Sequence, residues 1–270
     1  MDQNLTIETG TARNWLKARG FGLFAVMSPA DWPDAINESM HKHGIVIPKG
    51  TRLVLIGAAG RIIWEEVRQR RWHRDDPIDT YSIKVARELV RNFWGIRDME
   101  LLYPRTRPMP LQQLCQFAGW SYQSPLGLDI HSRFGTWFAC RAAFLVQACL
   151  QLTPVQDGTS PCDSCCDQPC QSACPVGAVQ LGKMFSLDAC AGYRLQSDSP
   201  CVYQCLARSA CPVGEEWRYG KEQIDYHGER SLLSLRKNRT DSALAPECST
   251  RNTLEEKSLQ NIEGASIESL

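Results

Sequence analysis

Nine of the thirteen cysteines in this 270-residue chain fall between Cys162 and Cys211. They are Cys162, Cys165, Cys166, Cys170, Cys174, Cys190, Cys201, Cys205 and Cys211. Thiolates held this close repel one another unless cations lie between them. A disulfide framework is not expected, because the N-terminus MDQNLTIETG has neither the basic nor the apolar region of a secretory signal. The expected compartment is therefore the cytoplasm, where thiols stay reduced. Metal is the remaining cause of the clustering. The dispersed Cys115, Cys140 and Cys149 read as small buried hydrophobes. Cys248, alone in a polar tail, is not a ligand.

The first group ends Cys170-Gln-Ser-Ala-Cys174-Pro175 and resembles the close of the bacterial ferredoxin run C-x2-C-x2-C-x3-C-P, with two extra residues in its middle. The second group, Cys190, Cys201, Cys205 and Cys211-Pro212, closes the same way, and Pro-Val-Gly follows in both. The segment thus resembles an internally duplicated ferredoxin with two 4Fe-4S clusters. Structural zinc also begins with C-x2-C but needs neither Cys-Pro exit. In two-cluster ferredoxins the fourth cysteine of each run serves the other cluster. That implies Cys162, Cys165, Cys170 and Cys211 for one cluster, and Cys174, Cys190, Cys201 and Cys205 for the other. Spacing alone leaves Cys165 and Cys166 as alternatives.

The elements that must position these residues come from the rest of the chain. Ser28-Pro29-Ala-Asp31 reads as a helix start, with Trp32, Ile36 and Met40 on one face and Gly44 as its stop. Residues 51–57 read as a buried strand. A second helix is expected from about Thr80, capped by Asp79 and ending at Gly95. Residues 99–103 and 126–130 are strand candidates and 111–118 a short helix, while 134–146 is apolar without a readable period. This alternation predicts an α+β domain with one sheet. The basic run Arg68, Arg70, Arg71, Trp72, His73, Arg74 reads as a solvated helix face rather than an anion site. From Gly228 onward there is no aromatic residue, so a disordered tail is expected.

Thirty basic and thirty acidic residues balance to zero net charge. Nonspecific binding to nucleic acid or an anionic membrane needs a basic surplus, so neither is expected as a partner. No apolar run approaches the roughly 20 residues that span a bilayer.

Residues 118–141, AGWSYQSPLGLDIHSRFGTWFACR, carry a further resemblance. The phrase HSRFGTWFACR resembles the cobalamin-processing decyanase (dealkylase) family. The frame AGWSYQSP followed by IHSRFGTWF resembles epoxyqueuosine reductase, a corrinoid and iron-sulfur enzyme in which a two-cluster ferredoxin domain follows the corrinoid domain. The resemblance implies a nitroreductase-like corrinoid-binding domain over residues 1–155, a ferredoxin-like domain over 156–227, and the tail over 228–270. It places cobalamin against Ser124, Gly127, Phe134, Gly135, Trp137, Phe138 and Arg141. Gly127 and Gly135 permit close backbone approach to a flat ligand. Asp129-Ile-His131 begins like the D-x-H-x-x-G signature of His-on cobalamin enzymes, but Phe134 stands where the glycine belongs. His131 therefore reads as a surface or supporting histidine.

The reductase family has an aspartate proton donor before its short helix, whereas an ungapped alignment puts Arg105 there. No Asp or Glu lies between Leu101 and Leu128, and Ser124-Pro125 replaces the family's Gly-Lys. Arg105 cannot donate a proton but can bind an anionic ligand. The expected activity is that of an oxidoreductase passing electrons from two 4Fe-4S clusters to bound cobalamin, with removal of its upper ligand. The implied partners are cobalamin and a low-potential electron donor. The alternatives are an electron-transfer ferredoxin without corrinoid, and a cobalamin-dependent reductase of a nucleoside or organohalide.

Overall fold

The computed structural model describes residues 6–70, 76–105, 108–155 and 157–244, with side chains to residue 237. In chain order the helices are α1 (Gly10–Lys17), α2 (Asp34–Lys42), α3 (Ile62–Gln69), α4 (Pro77–Glu88), α5 (Leu111–Phe117), α6 (Pro169–Ser172), α7 (Leu187–Arg194), α8 (Leu206–Ala210) and α9 (Lys221–Leu244). The strands are β1 (Leu23–Met27), β2 (Arg52–Ala59), β3 (Glu100–Tyr103), β4 (Tyr122–Gln123), β5 (Asp129–Ile130) and β6 (Phe138–Val146).

Four strands form an antiparallel sheet in the order β1-β2-β6-β3, and β4 pairs with β5 in a small ribbon. Alternation along the central strands builds two cores. Val54, Ile56, Ala142 and Phe144 face α1, α3 and α4, and Leu53, Leu55, Ala143 and Leu145 face α2 and α5. With helices on both sides, β2 is apolar after Arg52, which is why residues 51–57 read as a buried strand.

Of the unreadable stretch 134–146, residues 138–146 are β6, which is buried on both faces from Cys140 onward and interrupted by a bulge. Ile56 pairs with Ala142 and Gly57 with Cys140, so Arg141 is the extra residue. A bulge of this kind re-aims a side chain.

Other expectations shift by a few residues. Pro33 divides the first helix into a single turn (Pro29–Asp31) and α2, with Trp32, Ile36 and Met40 buried as read. The α4 helix starts at Pro77 behind Asp76, so Asp79 lies inside its first turn and is not the cap. Only Asp129–Ile130 of the 126–130 candidate is strand, because Ser124 closes a turn before it. Of the basic run, Arg68 pairs with Glu222 at 2.7 Å and Arg70 with Glu66 at 3.0 Å; residues 71–74 lie outside the described residues.

The boundary expected at Gly228 falls within α9, and the part of the tail from 228 to 244 is helical. Leu232 is 3% exposed there, and Arg194 donates to Gly228 O and Ser231 Oγ. This part of the tail is ordered because it continues a helix already anchored by Tyr226 on Trp64. The remainder, 245–270, lies outside the described residues.

Candidate functional site

The cysteine-rich segment has little regular structure and a small core of Leu126, Val179 and Ala207, packed by Cys170, Cys174 and Cys205. Its internal repeat is structural. The short helices α6 and α8 each run into Cys-Pro-Val-Gly, and Gly177 (φ +61°) and Gly214 (φ +72°) both turn the chain in the left-handed region that glycine favours.

The cysteines fall into two groups by their mutual electrostatics. Burial raises the Cys162 thiol, Ser160 opposes it, and the sulfurs of Cys211, Cys170 and Cys165 raise it further. Cys170 is raised by burial and then by Cys211 and, less, Cys165. In the other group burial raises Cys190, followed by Cys205, with smaller effects of Cys174 and Cys201. Cys166 is exposed and enters neither set of neighbours. Among the described residues, no three His, Cys, Asp or Glu side chains converge on a single metal ion.

A cavity of about 760 Å³ lies between this segment, the start of β6 and α5. Cys174, Cys190, Cys201 and Cys205 line one end, and none of Cys162, Cys165, Cys170 or Cys211 does. Leu126, Trp137, Phe138 and Phe185 supply apolar wall, and Tyr103, Arg141, Arg208 and His227 supply polar groups. The size suits a cofactor or substrate, for which pockets run about 300–1,000 Å³.

Of the residues read from the sequence, Gly127, Trp137, Phe138 and Arg141 line the cavity. Ser124 shapes it indirectly, its Oγ donating to Leu128 O at 2.6 Å. Gly127 (φ +68°) leaves room for the Phe185 ring, 2.8 Å from where a Cβ would stand. Gly135 (φ +57°) has another purpose than the one read: its missing Cβ would lie 1.9 Å from Val213 O, so backbone of the cysteine segment fills that space. Phe134 packs against His131 at 4.3 Å and Trp217 at 4.7 Å. Arg105 is exposed and is not among the lining residues.

His131 closes its own turn. Its Nδ1 accepts from the backbone N–H of Arg133 and Phe134, and burial, with Arg133 nearby, lowers its pKa to about 4.

Several lining groups escaped the sequence reading. Arg208, on α8, donates to Thr136 and lies 4.2 Å over the Trp137 ring, fastening the segment to the sheet. Burial lowers His227 to about 3, with Arg141, Arg208 and Arg230 adding to the effect. Burial, assisted by Asp79, pushes Tyr103 up to about 12. Arg141, which the sequence did single out, is 7% exposed, and no partner for its Nε is found among the described residues. The Cys115 thiol, hydrogen-bonded to Cys140 and buried, is raised well above its usual range.

No protein-family model and no curated protein matches the sequence. Solved structures do. Epoxyqueuosine reductase from Bacillus subtilis superposes with a TM-score of 0.52 at 14% identity, over 76% of this chain and 64% of that one. An epoxyqueuosine reductase bound to a tRNA-Tyr epoxyqueuosine-modified stem loop gives 0.53 at 13%, over 80% and 68%. The C. elegans B12-trafficking protein CblC, a homologue of human MMACHC, gives 0.50 at 15%, over 83% and 92%.

The chain therefore has a mixed α/β fold shared with these two groups, the same two that residues 118–141 resemble. It spans less than two thirds of the length of the Bacillus reductase. One neighbour is seen with a tRNA stem loop, so balanced charge does not support the expected absence of a nucleic-acid partner. No described helix is long and apolar enough to cross a membrane.

Proposed function

We propose that this chain is an iron-sulfur oxidoreductase that carries two 4Fe-4S clusters and binds cobalamin in the adjoining cavity, where it removes the upper ligand reductively. In this reading residues 1–155 are a nitroreductase-like corrinoid-binding domain and 156–227 a two-cluster ferredoxin-like domain. The first cluster takes Cys162, Cys165, Cys170 and Cys211, and the second takes Cys174, Cys190, Cys201 and Cys205.

The observation that carries it is the position of the second cysteine set. All four of its members line the same cavity as Trp137, Phe138 and Arg141. The residues fit both groups: eight thiols in two sets suit cubic clusters, and the apolar wall, with a buried Arg141 Nε that has no partner among the described residues, suits a large amphipathic ligand. Bound clusters supply single electrons at potentials set by burial and hydrogen bonds, and cobalamin supplies a reducible metal centre. The chain's own work is to bind, orient and exclude water. Trp137 and Phe138 cover apolar surface, and Arg208 holds the second cysteine set against the sheet. A low-potential donor has its access at the first set, beside exposed Cys166.

The test is anaerobic purification with added hydroxocobalamin, read by iron content and visible spectrum. About eight iron atoms per chain, a retained corrinoid and upper-ligand loss under a low-potential reductant are expected. Zinc without iron overturns the cluster assignment. Absence of corrinoid binding points to a simple electron-transfer ferredoxin, and binding without ligand turnover points to a reductase of a separate substrate.

A further inference from the structure

Reductive removal of an anionic ligand as a neutral molecule takes a proton as well as an electron. When an electron enters a metal–ligand bond, the ligand leaves with the bonding pair as an anion and must be protonated to depart as a neutral molecule. The cavity holds one carboxylate among the described residues that line it, Asp129 at the start of β5. It lies one residue beyond the acid-free stretch 101–128.

Its setting is ordered. Oδ1 accepts from Gln116 Nε2 at 2.9 Å and Oδ2 from Ser121 Oγ at 2.7 Å, so α5 and the turn after it fix the carboxyl plane. Leu111, Gln112 and Cys115 of α5 form the wall beside it. The neighbouring titratable group is the Cys115 thiol. Burial raises the carboxyl above its ordinary range, and the two hydrogen bonds only partly oppose this. A general acid needs such a shift, because an ordinary carboxylate is fully ionised at neutral pH.

We propose that Asp129 is the acid of this cavity, giving its proton to the anionic ligand that leaves when an electron arrives through the second cysteine set. The inference rests on the function proposed above. In the step, one electron from the low-potential donor reduces the metal, the metal–ligand bond breaks, and the carboxylic acid proton passes to the ligand. The resulting Asp129 carboxylate is reprotonated from water.

Two probes separate this role from the parent reading. Cyanocobalamin must lose an anion, whereas aquocobalamin loses neutral water and needs no acid. In the iron-loaded protein, Asp129→Asn should slow cyanide release by about a hundredfold or more and remove the fall in rate as pH rises. Reduction of aquocobalamin should slow far less than cyanide release. Infrared difference spectra of wild type against Asp129→Asn, without corrinoid, should show a carboxylic acid band that persists above the ordinary carboxylate range. Equal cyanide release by both proteins, equal slowing of both probes, or an Asp129 band lost in the ordinary range each overturns the assignment. If wild type binds neither corrinoid, the parent reading fails and this one falls with it.

Discussion

Gly135 and Gly214 are predicted to lock the sheet to the cysteine segment, and Gly135→Ala is the substitution that tests it. A Cβ on Gly135 would stand 1.9 Å from Val213 O, and one on Gly214 would stand 2.3 Å from the Phe134 carbonyl carbon. A carbon–oxygen contact relaxes only at about 3.3 Å, so the two backbones must part by roughly 1.4 Å. That movement also disturbs the Phe134–Trp217 ring contact at 4.7 Å and the Arg208–Thr136 hydrogen bonds next to it. The left-handed conformation costs alanine about 1–2 kcal/mol, and forced overpacking adds about 1–3 kcal/mol. At about 2–4 °C per kcal/mol, the midpoint of thermal unfolding should fall by roughly 4–20 °C. Gly44→Ala is the control: φ is +64° there, but nothing lies within 4 Å of the new methyl. It should cost only the conformational part. Thermal unfolding followed by circular dichroism, with iron content measured alongside, reads both variants. Equal midpoints for the two would refute the interlock.

Cys166→Ser should keep both clusters while Cys170→Ser loses iron, because Cys166 is exposed and absent from both sets of interacting sulfurs; iron analysis of the anaerobic variants checks this, and loss of iron from Cys166→Ser moves the ligand assignment by one residue. Stability should fall as pH drops from about 6.5 toward 4, since His131 and His227 are held neutral when folded, with pKa values of about 4 and about 3, and take up protons on unfolding. Each contributes up to about 1.4 kcal/mol per pH unit across that window. Urea unfolding at several pH values measures the slope, and His227→Gln should reduce it by roughly half; an unchanged slope would place the proton uptake elsewhere.

The parts of this fold that were legible in the sequence are those whose physics is local. Strand β2 is buried on both faces and reads as one apolar run. The short helix α5 shows in residues 111–118, and the two Cys-Pro-Val-Gly exits show the internal repeat directly. What was hidden depends on partners distant in sequence. Strand β6 shows no alternation because helices bury both its faces, and its bulge at Arg141 exists only in pairing with Ile56 and Gly57. The helix α9 has a largely polar sequence, and its docking through Tyr226 on Trp64, Leu232, the Arg194 hydrogen bonds and the Arg68–Glu222 and Arg230–Asp76 ion pairs shows why it is ordered. Asp79 has the composition of a cap, but the proline two residues before it sets the start of the helix.

The glycine in FGTWF shows how a correct resemblance can carry a wrong physical reason. Gly135 was read as room for a ligand, yet its space is taken by Val213, within the exit that follows Cys211. Gly214 in turn has no room for a side chain because of Phe134. Each glycine is thus required by the other segment's backbone. The two phrases therefore constrain each other, one from the sheet domain and one from the cysteine segment. Thr136 and Trp137 come immediately after Gly135 and receive Arg208, which comes shortly before Cys211. A chain joined this tightly at residues 134–137 and 208–214 sets where the second cysteine group meets the cavity. In the proposed function, the distance an electron must cross therefore depends on Gly135 and Gly214, which do not line the cavity, as well as on Thr136, Trp137 and Arg208, which do.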